Sequence, residues 1–258
     1  MQILFTICGR AGTKGCKNKN IRELYGRPIV YYTLAAIRLY EEAHQEHTIT
    51  IALNTDSDEL IRQTKEQDII QPVRFVPRKE ELAGDATPKV EVVRDTYLQC
   101  SNEKGDFDVI VDLDITSPLR RLCDIEETLR QAVEDPRCDL AFSVVNARRN
   151  PYFNMVEERD GYYKKVCKSN YTARQQAPSI YELNASIYAY RPSFLKSKPK
   201  KTILDYNCRI AVMPDYLVLD IDSEEDFGML ELLIPHYIVE DNGIKKMFET
   251  LSEAERIK

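Results

Sequence analysis

"QILFTICGRAGTKGCKNKN", residues 2–20, passes from a near-continuous apolar stretch directly into a loop carrying three glycines, one arginine and three lysines. The first seven residues, 2–8, read as a buried strand of the kind found in parallel sheets. In an open sheet with helices on its faces, ligands sit beyond the carboxyl ends of the strands, so the loop that follows is the expected place for a site. The fold therefore turns on whether the rest of the chain supplies parallel partners for that strand.

It does so in a regular rhythm over the first 146 residues. "TITIALN" (48–54), "VRFVP" (73–77), "DVIVDLD" (108–114) and "LAFSVV" (140–145) are rich in Val, Ile, Phe and Leu and read as strands. Between them "PIVYYTLAAIRLYEEA" (28–43), "SDELIRQTKEQ" (57–67), "KVEVVRDTYLQC" (89–100) and "DIEETLRQAVED" (124–135) have helical spacing, with Ser57 and Asp124 as candidate caps. Short connections between alternating strands and helices define the fold class as α/β, a mostly parallel Rossmann-like sheet flanked by helices on both faces. From Arg148 to about Ile180 the rhythm changes, and Asp160–Gly161 marks a turn between Tyr-containing segments. Residues 147–183 are read as an inserted β-hairpin arm. "NASIYAY" (184–190) and "YLVLDID" (216–222) return to strand, and "SEEDFGMLELLIPHYI" (223–238) is a capped closing helix. With no repeat and no long linker, residues 1–258 form a single domain.

Composition narrows the partners. A formal charge of −6 over 258 residues argues against broad binding to nucleic acid or anionic lipid, so any bound anion is small and held locally. No apolar run approaches the ~20 residues of a membrane helix, and the N-terminus has no basic region ahead of its apolar stretch. Seven cysteines, odd in number and without a C-x-x-C pair, point to reduced thiols and a cytoplasmic setting rather than disulfides or a zinc site. Of three histidines, His44 and His47 lie together in a polar stretch and His236 follows Pro235, none placed for a Ser-His-Asp arrangement.

Spacing also limits what the first loop is. The residue five after Gly9 is Lys14, so the stretch is not a Walker A loop, and Gly9, Gly12 and Gly15 stand three apart, which is not the dinucleotide fingerprint. "GTKG" (12–15) fits the G-x-x-G clamp of RNA-binding KH modules, but here it leaves a strand instead of joining two helices. Glycines that let N–H groups converge, with Arg10, Lys14, Lys17 and Lys19 around them, form a polyphosphate cradle or else a basic surface turn.

Arg10, Thr13, Lys14, Gly15, Lys19 and Asn20 resemble the A-R-x-x-S-K-G-x-x-x-K-N loop of the acylneuraminate (CMP-sialic acid) cytidylyltransferases. "PRKEELAGDAT" (77–87), "TSPLR" (116–120), "TARQQAP" (172–178), "NASIY" (184–188) and "LDIDSEEDF" (219–227) resemble the remaining blocks of that family, in order, over residues 1 to about 233. The resemblance implies the nucleotide-diphospho-sugar transferase type of sheet and the joining of CTP to a nonulosonic 2-keto sugar acid with release of pyrophosphate. It further implies that Arg10, Ala11, Gly12, Thr13, Lys14, Gly15 and Lys19 hold the phosphates. Arg10, Lys14, Lys19 and Asp222 would carry catalysis, by neutralising charge that builds on the phosphate oxygens.

Asp220 and Asp222 match the family's metal aspartates, implying a Mg²⁺ cofactor, although a D-x-D ahead of a helix can also serve as a cap. Asn20 and Arg78 would read the cytosine, with Thr87 beside the nucleotide. The sugar acid would meet Asp114, Thr116, Ser117, Arg120, Phe153, Arg174, Gln175, Glu182, Asn184 and Tyr188, of which Tyr188 equally suits the core. The arm carrying Arg174 and Gln175 would cross between two subunits, making a homodimer with shared active sites.

Three positions depart from the pattern for N-acetylneuraminate: Asp114 replaces a glutamine, Glu182 an arginine and Phe153 a lysine. With "DLDITSPLR" (112–120) and "ARRNPYFN" (147–154), they most resemble the bacterial branch that activates legionaminic acid. Tyr152 and Phe153 are candidates to pack on its deoxygenated methyl, and Asp114, which faces the same strand end as Asp112, to orient a water or second metal ion. The other readings are a CMP-N-acetylneuraminate or CMP-pseudaminate synthetase and, in a different class, a non-catalytic nucleotide-binding protein. No residue stands out as general base.

Overall fold

The computed structural model describes residues 1–12, 15–199 and 202–256, with side chains through Glu253. The chain begins with β1 (Gln2–Gly9), a short ladder of β2 (Glu23–Leu24) with β3 (Arg27–Pro28), α1 (Val30–Ala43), β4 (Thr48–Thr55), α2 (Asp58–Glu66) and β5 (Val73–Pro77). It continues through α3 (Lys89–Lys104), β6 (Val109–Leu113), α4 (Leu122–Glu134) and β7 (Leu140–Asn146) to a hairpin of β8 (Val156–Arg159) and β9 (Tyr162–Lys165). Then come β10 (Tyr181–Tyr190), α5 (Pro192–Lys196), β11 (Cys208–Val212), α6 (Glu224–Glu240) and α7 (Asn242–Arg256).

Seven strands make one sheet in the order β11-β7-β10-β6-β1-β4-β5. All pairings are parallel except those of β10, which runs antiparallel to both β6 and β7. Alternation along each strand feeds two cores. Ile3, Phe5 and Ile7 pack in one cluster with Leu34 and Ile37 of α1, Leu129 of α4, Leu230 of α6 and Met247 of α7. Leu4 and Ile110 face the other side, against Val93 and Tyr97 of α3 and Phe194 of α5. Each such apolar side chain buried stabilises the fold by ~1.5–3 kcal/mol. From β1 the chain moves outward to β4 and β5, then returns to lay β6 on the other flank of β1. That reversal opens a crevice beyond the carboxyl ends of β1 and β6.

Several local expectations hold. Ser57 caps α2, its hydroxyl accepting the Leu60 N–H at 3.2 Å. The hairpin turns at Asp160 (φ 55°) and Gly161 (φ 78°), two left-handed residues as a tight two-residue hairpin turn requires. Others are corrected. Asp124 is not the cap of α4 but lies one turn in, where its carboxylate accepts the Arg121 N–H at 2.9 Å. Residues 216–222 are not a strand: a single 3₁₀ turn (Asp215–Leu217) leads into a loop, and Cys208–Val212 takes the sheet position beside β7. Leu217 and Ile221 of that loop are buried, so its apolar run serves the core without joining the ladder. The chain also does not close with α6. Asp241 accepts the N–H groups of Gly243 and Ile244 at 2.7 and 3.0 Å, and α7 follows, burying Ile244, Met247, Phe248 and Leu251 at helical spacing. Among the described residues no helix is long and apolar enough to cross a membrane.

Candidate functional site

The loops after β1, β5 and β6 meet the loop ahead of α6 around a cavity of about 460 Å³. That volume lies within the ~300–1,000 Å³ range of small-molecule sites. Arg10, Gly15, Lys19 and Asn20 line it from the first loop, Arg78 and Thr87 from the segment between β5 and α3, Asp114 and Thr116 from the end of β6, and Asp220 and Asp222 from the loop before α6. These ten are sequence-predicted site residues, spread over more than 210 positions of the chain and brought together only by the sheet.

Close backbone approach shapes the first loop. A Cβ on Gly15 would stand 2.5 Å from the carbonyl oxygen of Asp222, so a glycine is required where these two loops touch. Gly12 turns at φ +66°, in the left-handed region. Lys19 joins the same two loops, donating to the Ile221 carbonyl at 2.6 Å and to the Asp222 carboxylate at 2.8 Å. Arg10 ion-pairs with Asp85 at 2.6 Å, and the buried Asn20 amide donates to the Arg10 carbonyl at 3.0 Å. Arg78 is held by Asn54, through its side-chain oxygen at 2.9 Å and its carbonyl at 3.1 Å. Ala11 is exposed, with its N–H given to the Asp56 carboxylate at 2.8 Å, and Gly12 is exposed beside it. Thr13 and Lys14 lie outside the described residues.

The D-x-D segment is not a helix cap. Ser223 and Asp226 cap α6 reciprocally, with N–H to oxygen distances of 3.2 and 2.8 Å, which leaves both aspartate carboxylates to the cavity. Ile221 N–H binds the Thr116 carbonyl at 2.9 Å, so the loop is pinned to the end of β6. Asp220 has a buried Oδ1 with no hydrogen-bond partner. Burial first, and then the neighbouring Asp114 charge, push its carboxyl pKa up. A buried acceptor without a donor, in a cluster of carboxylates, fits a hard cation such as magnesium, with Asp220 and Asp222 as its oxygen ligands.

Lys89, at the first position of α3, was not singled out in the sequence, yet it organises the floor of the cavity. Its ammonium pairs with Asp112 at 2.8 Å and also with Asp114, and stands 5.8 Å from the Tyr188 ring centre. Asp112 is fully buried and accepts the Thr6 hydroxyl at 2.8 Å, while Asp114 accepts the Thr116 N–H and hydroxyl at 3.0 and 2.9 Å. Burial alone would raise the Asp114 pKa, but the charge and hydrogen bond of Lys89 outweigh it and bring the carboxyl down to about 2. Asp114 is thus an anion with its oxygens already directed. The Lys89 ammonium stands against both carboxylates at the strand end where Asp114 was expected to orient a water or second metal ion. Two signals were legible: a lysine at a helix N-terminus, where the dipole disfavours a cation, and aspartates two apart on one strand. Cys8, Leu82, Gly84 and Asp85 also line the cavity without having been singled out.

Other expected substrate residues do not reach the cavity within one chain. Arg120 is fully buried, donating to the carbonyls of Asp114 and Ser117, and burial lowers its pKa to about 10. Ser117 is buried and donates to the Asn184 carbonyl at 3.1 Å. Asn184 sits in a bulge of β10 and turns inward, its oxygen accepting from Ser143 at 2.6 Å and its amide facing the Met213 sulfur at 3.1 Å. These three support the turn after β6 from behind, although the Nε and Nη1 groups of Arg120 are buried without a hydrogen-bond partner among the described residues. Tyr188 is half-buried beside Lys89. Phe153 lies in the turn after β7, Arg174 and Gln175 are exposed on the arm, and Glu182 lines a separate cleft of about 390 Å³ with Arg148 and Tyr237.

The sequence profile described as "Cytidylyltransferase" matches residues 4–231. The chain is 35% identical to "Post-translational flagellin modification protein B" of Campylobacter coli, over 90% of this chain and 95% of that one. It is 37% identical to "CMP-N,N'-diacetyllegionaminic acid synthase" of Campylobacter jejuni, again over 90% and 95%. Among solved structures, a CMP:2-keto-3-deoxy-manno-octonic acid synthetase complexed with CTP superposes with a TM-score of 0.61 at 15% identity, covering 92% of this chain and 99% of that one, a likeness of fold.

Proposed function

This chain belongs to the cytidylyltransferase family, and we propose that it joins CTP to a nonulosonic acid of the legionaminic type, giving the CMP-sugar and pyrophosphate. The observation that carries the proposal is the convergence of the Arg10–Asn20 loop, Arg78, Asp114 and the Asp220–Asp222 pair on one cavity.

In such a reaction the sugar's anomeric hydroxyl attacks the α-phosphorus and pyrophosphate departs in line, so negative charge grows on the phosphate oxygens. Arg10 and Lys19 supply cationic donors there, each exchanging its present carboxylate partner, Asp85 or Asp222, for phosphate. Asp220 and Asp222 would hold Mg²⁺, whose chemistry is to neutralise phosphate charge. Asn20 and Arg78 face the same cavity and present the amide and guanidinium edges that suit cytosine. Asp114, kept anionic by Lys89, offers acceptor oxygens and suits a substrate N–H or hydroxyl donor. Gly15→Ala is expected to cut kcat/KM for CTP on the order of 10²-fold by separating the two loops, a displacement of about an ångström being enough. Unchanged steady-state kinetics in that variant would mean that the contact with Asp222 is not needed.

The arm would supply Arg174 and Gln175 to a second copy. Support comes from its apolar exposure: Val156 is 60% exposed, and Tyr162 and Tyr163 are each 73% exposed on opposite faces of the hairpin, apolar surface suited to burial in a homodimer.

Pyrophosphate release tests the substrate. With CTP and Mg²⁺, legionaminic acid is expected to turn over faster than N-acetylneuraminic and pseudaminic acids, and Phe153→Lys to narrow the gap by about 10-fold, the worth of one apolar contact. A reversed ranking would move the assignment to another nonulosonic acid. Pyrophosphate from none of the three would overturn it.

A further inference from the structure

Among the described residues, one cluster has the donor set of a transition-metal site, and it lies outside the cavity, where α1 ends. His44 follows the last turn of α1, its N–H bound to the Tyr40 carbonyl at 3.0 Å, and His47 N–H closes a turn on the His44 carbonyl at 3.0 Å. The turn stacks the two imidazoles, with ring centres 5.3 Å apart and planes 9° from parallel.

That stacking points two nitrogens at one carboxylate. Glu46 Oε1 lies 3.2 Å from His44 Nδ1 and 3.5 Å from His47 Nε2, and all three donor atoms fall within 4.8 Å of one another. Metal bonds of ~2.0–2.1 Å would put tetrahedral donors ~3.3–3.4 Å apart, a value the two measured edges straddle. The outward nitrogens are also engaged: His44 Nε2 meets Glu126 of α4 at 2.8 Å, and His47 Nδ1 meets the buried Tyr40 hydroxyl at 2.9 Å. Partners on the far nitrogen fix the tautomer and orientation of metal-bound histidines. Glu46, with 66% of its side chain exposed, leaves the remaining coordination position to water.

We propose that His44, Glu46 and His47 bind a divalent transition ion of the Zn²⁺ or Co²⁺ class. Two imidazoles and one carboxylate select such ions over magnesium, which requires oxygen ligands. The site is therefore separate in place and chemistry from Asp220 and Asp222. A bound ion would tie the end of α1 to α4 through Glu126, so it would raise thermal stability in proportion to free metal and leave cytidylyl transfer unchanged.

Titration of the untagged, reduced chain with Co²⁺ tests this. The expected result is one equivalent bound with visible d–d absorption and without thiolate-to-cobalt charge transfer, lost in a His44→Gln/His47→Gln double variant. Glu46→Gln, a change at an exposed position, should weaken binding by at least 10-fold, and Glu126→Gln by about 10–100-fold as an outer partner. Metal-free thermal midpoints check that the variants are folded. Absence of the d–d bands, a thiolate spectrum, or Co²⁺ binding unchanged in the folded double or Glu46→Gln variant would each overturn the proposal.

Discussion

Replacing Asp222 by alanine is expected to leave the thermal midpoint within a few degrees of wild type and to lower kcat on the order of 10²–10³-fold, the cost of losing one group that stabilises transition-state charge. Both halves follow from its position. The Asp222 side chain is 78% exposed and pairs with Lys19 at 2.8 Å, a surface contact worth roughly 0–1 kcal/mol. The cap of α6 rests on Ser223 and Asp226 and is untouched. What is lost is a carboxylate facing the cavity beside Asp220. Mixing this variant with Arg174→Ala adds a readout for the shared-site dimer: random heterodimers would regain about a quarter of wild-type turnover, since half of the dimers carry one intact site. No recovery would place Arg174 outside the partner's site, and full turnover by Asp222→Ala alone would reduce that residue to a partner of Lys19.

Lys89→Met is expected to destabilise the chain by ~2–3 kcal/mol, below the ~3–5 kcal/mol of a fully buried broken pair because 31% of the Lys89 side chain meets solvent. The fully buried Asp112 would be left with the Thr6 hydroxyl and no cation. The pH dependence separates this from ordinary loss of packing. Asp114 titrates at about 2 in the folded chain, below its ordinary value near 4, so its ionic contribution is complete above pH ~4 and is lost as pH falls from ~4 to ~2. The stability gap between wild type and variant should therefore narrow across that window. In the variant the acid limb of kcat/KM should move to higher pH as the Asp114 pKa rises. A constant gap from pH 5 to pH 2.5, measured by urea unfolding, would show that Lys89 does not hold Asp114 ionised.

Much of the cavity was legible along the chain because loops at strand ends declare themselves through glycine, charge and an apolar run just before them. Arg10, Gly15, Lys19, Asn20, Arg78 and Asp114 all sit within seven residues of a strand end or inside the loop opened by one or its short continuation. Lys89 was harder to see. It opens a helix, and its meaning depends on Asp112 and Asp114, more than 20 positions away on the strand that follows that helix. Arg120, Ser117 and Asn184 show the opposite failure. Their types suit sugar recognition, but a bulge in β10 and the turn after β6 direct them into the interior.

The sequence by itself determined the alternation of strand and helix, the hairpin turn at Asp160–Gly161 and a basic, glycine-marked loop after the first strand, because periodicity, left-handed turn residues and glycine spacing are local properties. Only the tertiary structure decided that Cys208–Val212, and not residues 216–222, fills the sheet, since both segments are apolar and β10 holds one flank of β7, leaving a single place on the other. It also decided that the displaced loop carries Asp220 and Asp222 to the end of β6, where Thr116 and Lys19 hold it against Gly15. Charge pairing across such distances is a matter of which strands become neighbours, and sequence spacing does not contain that information.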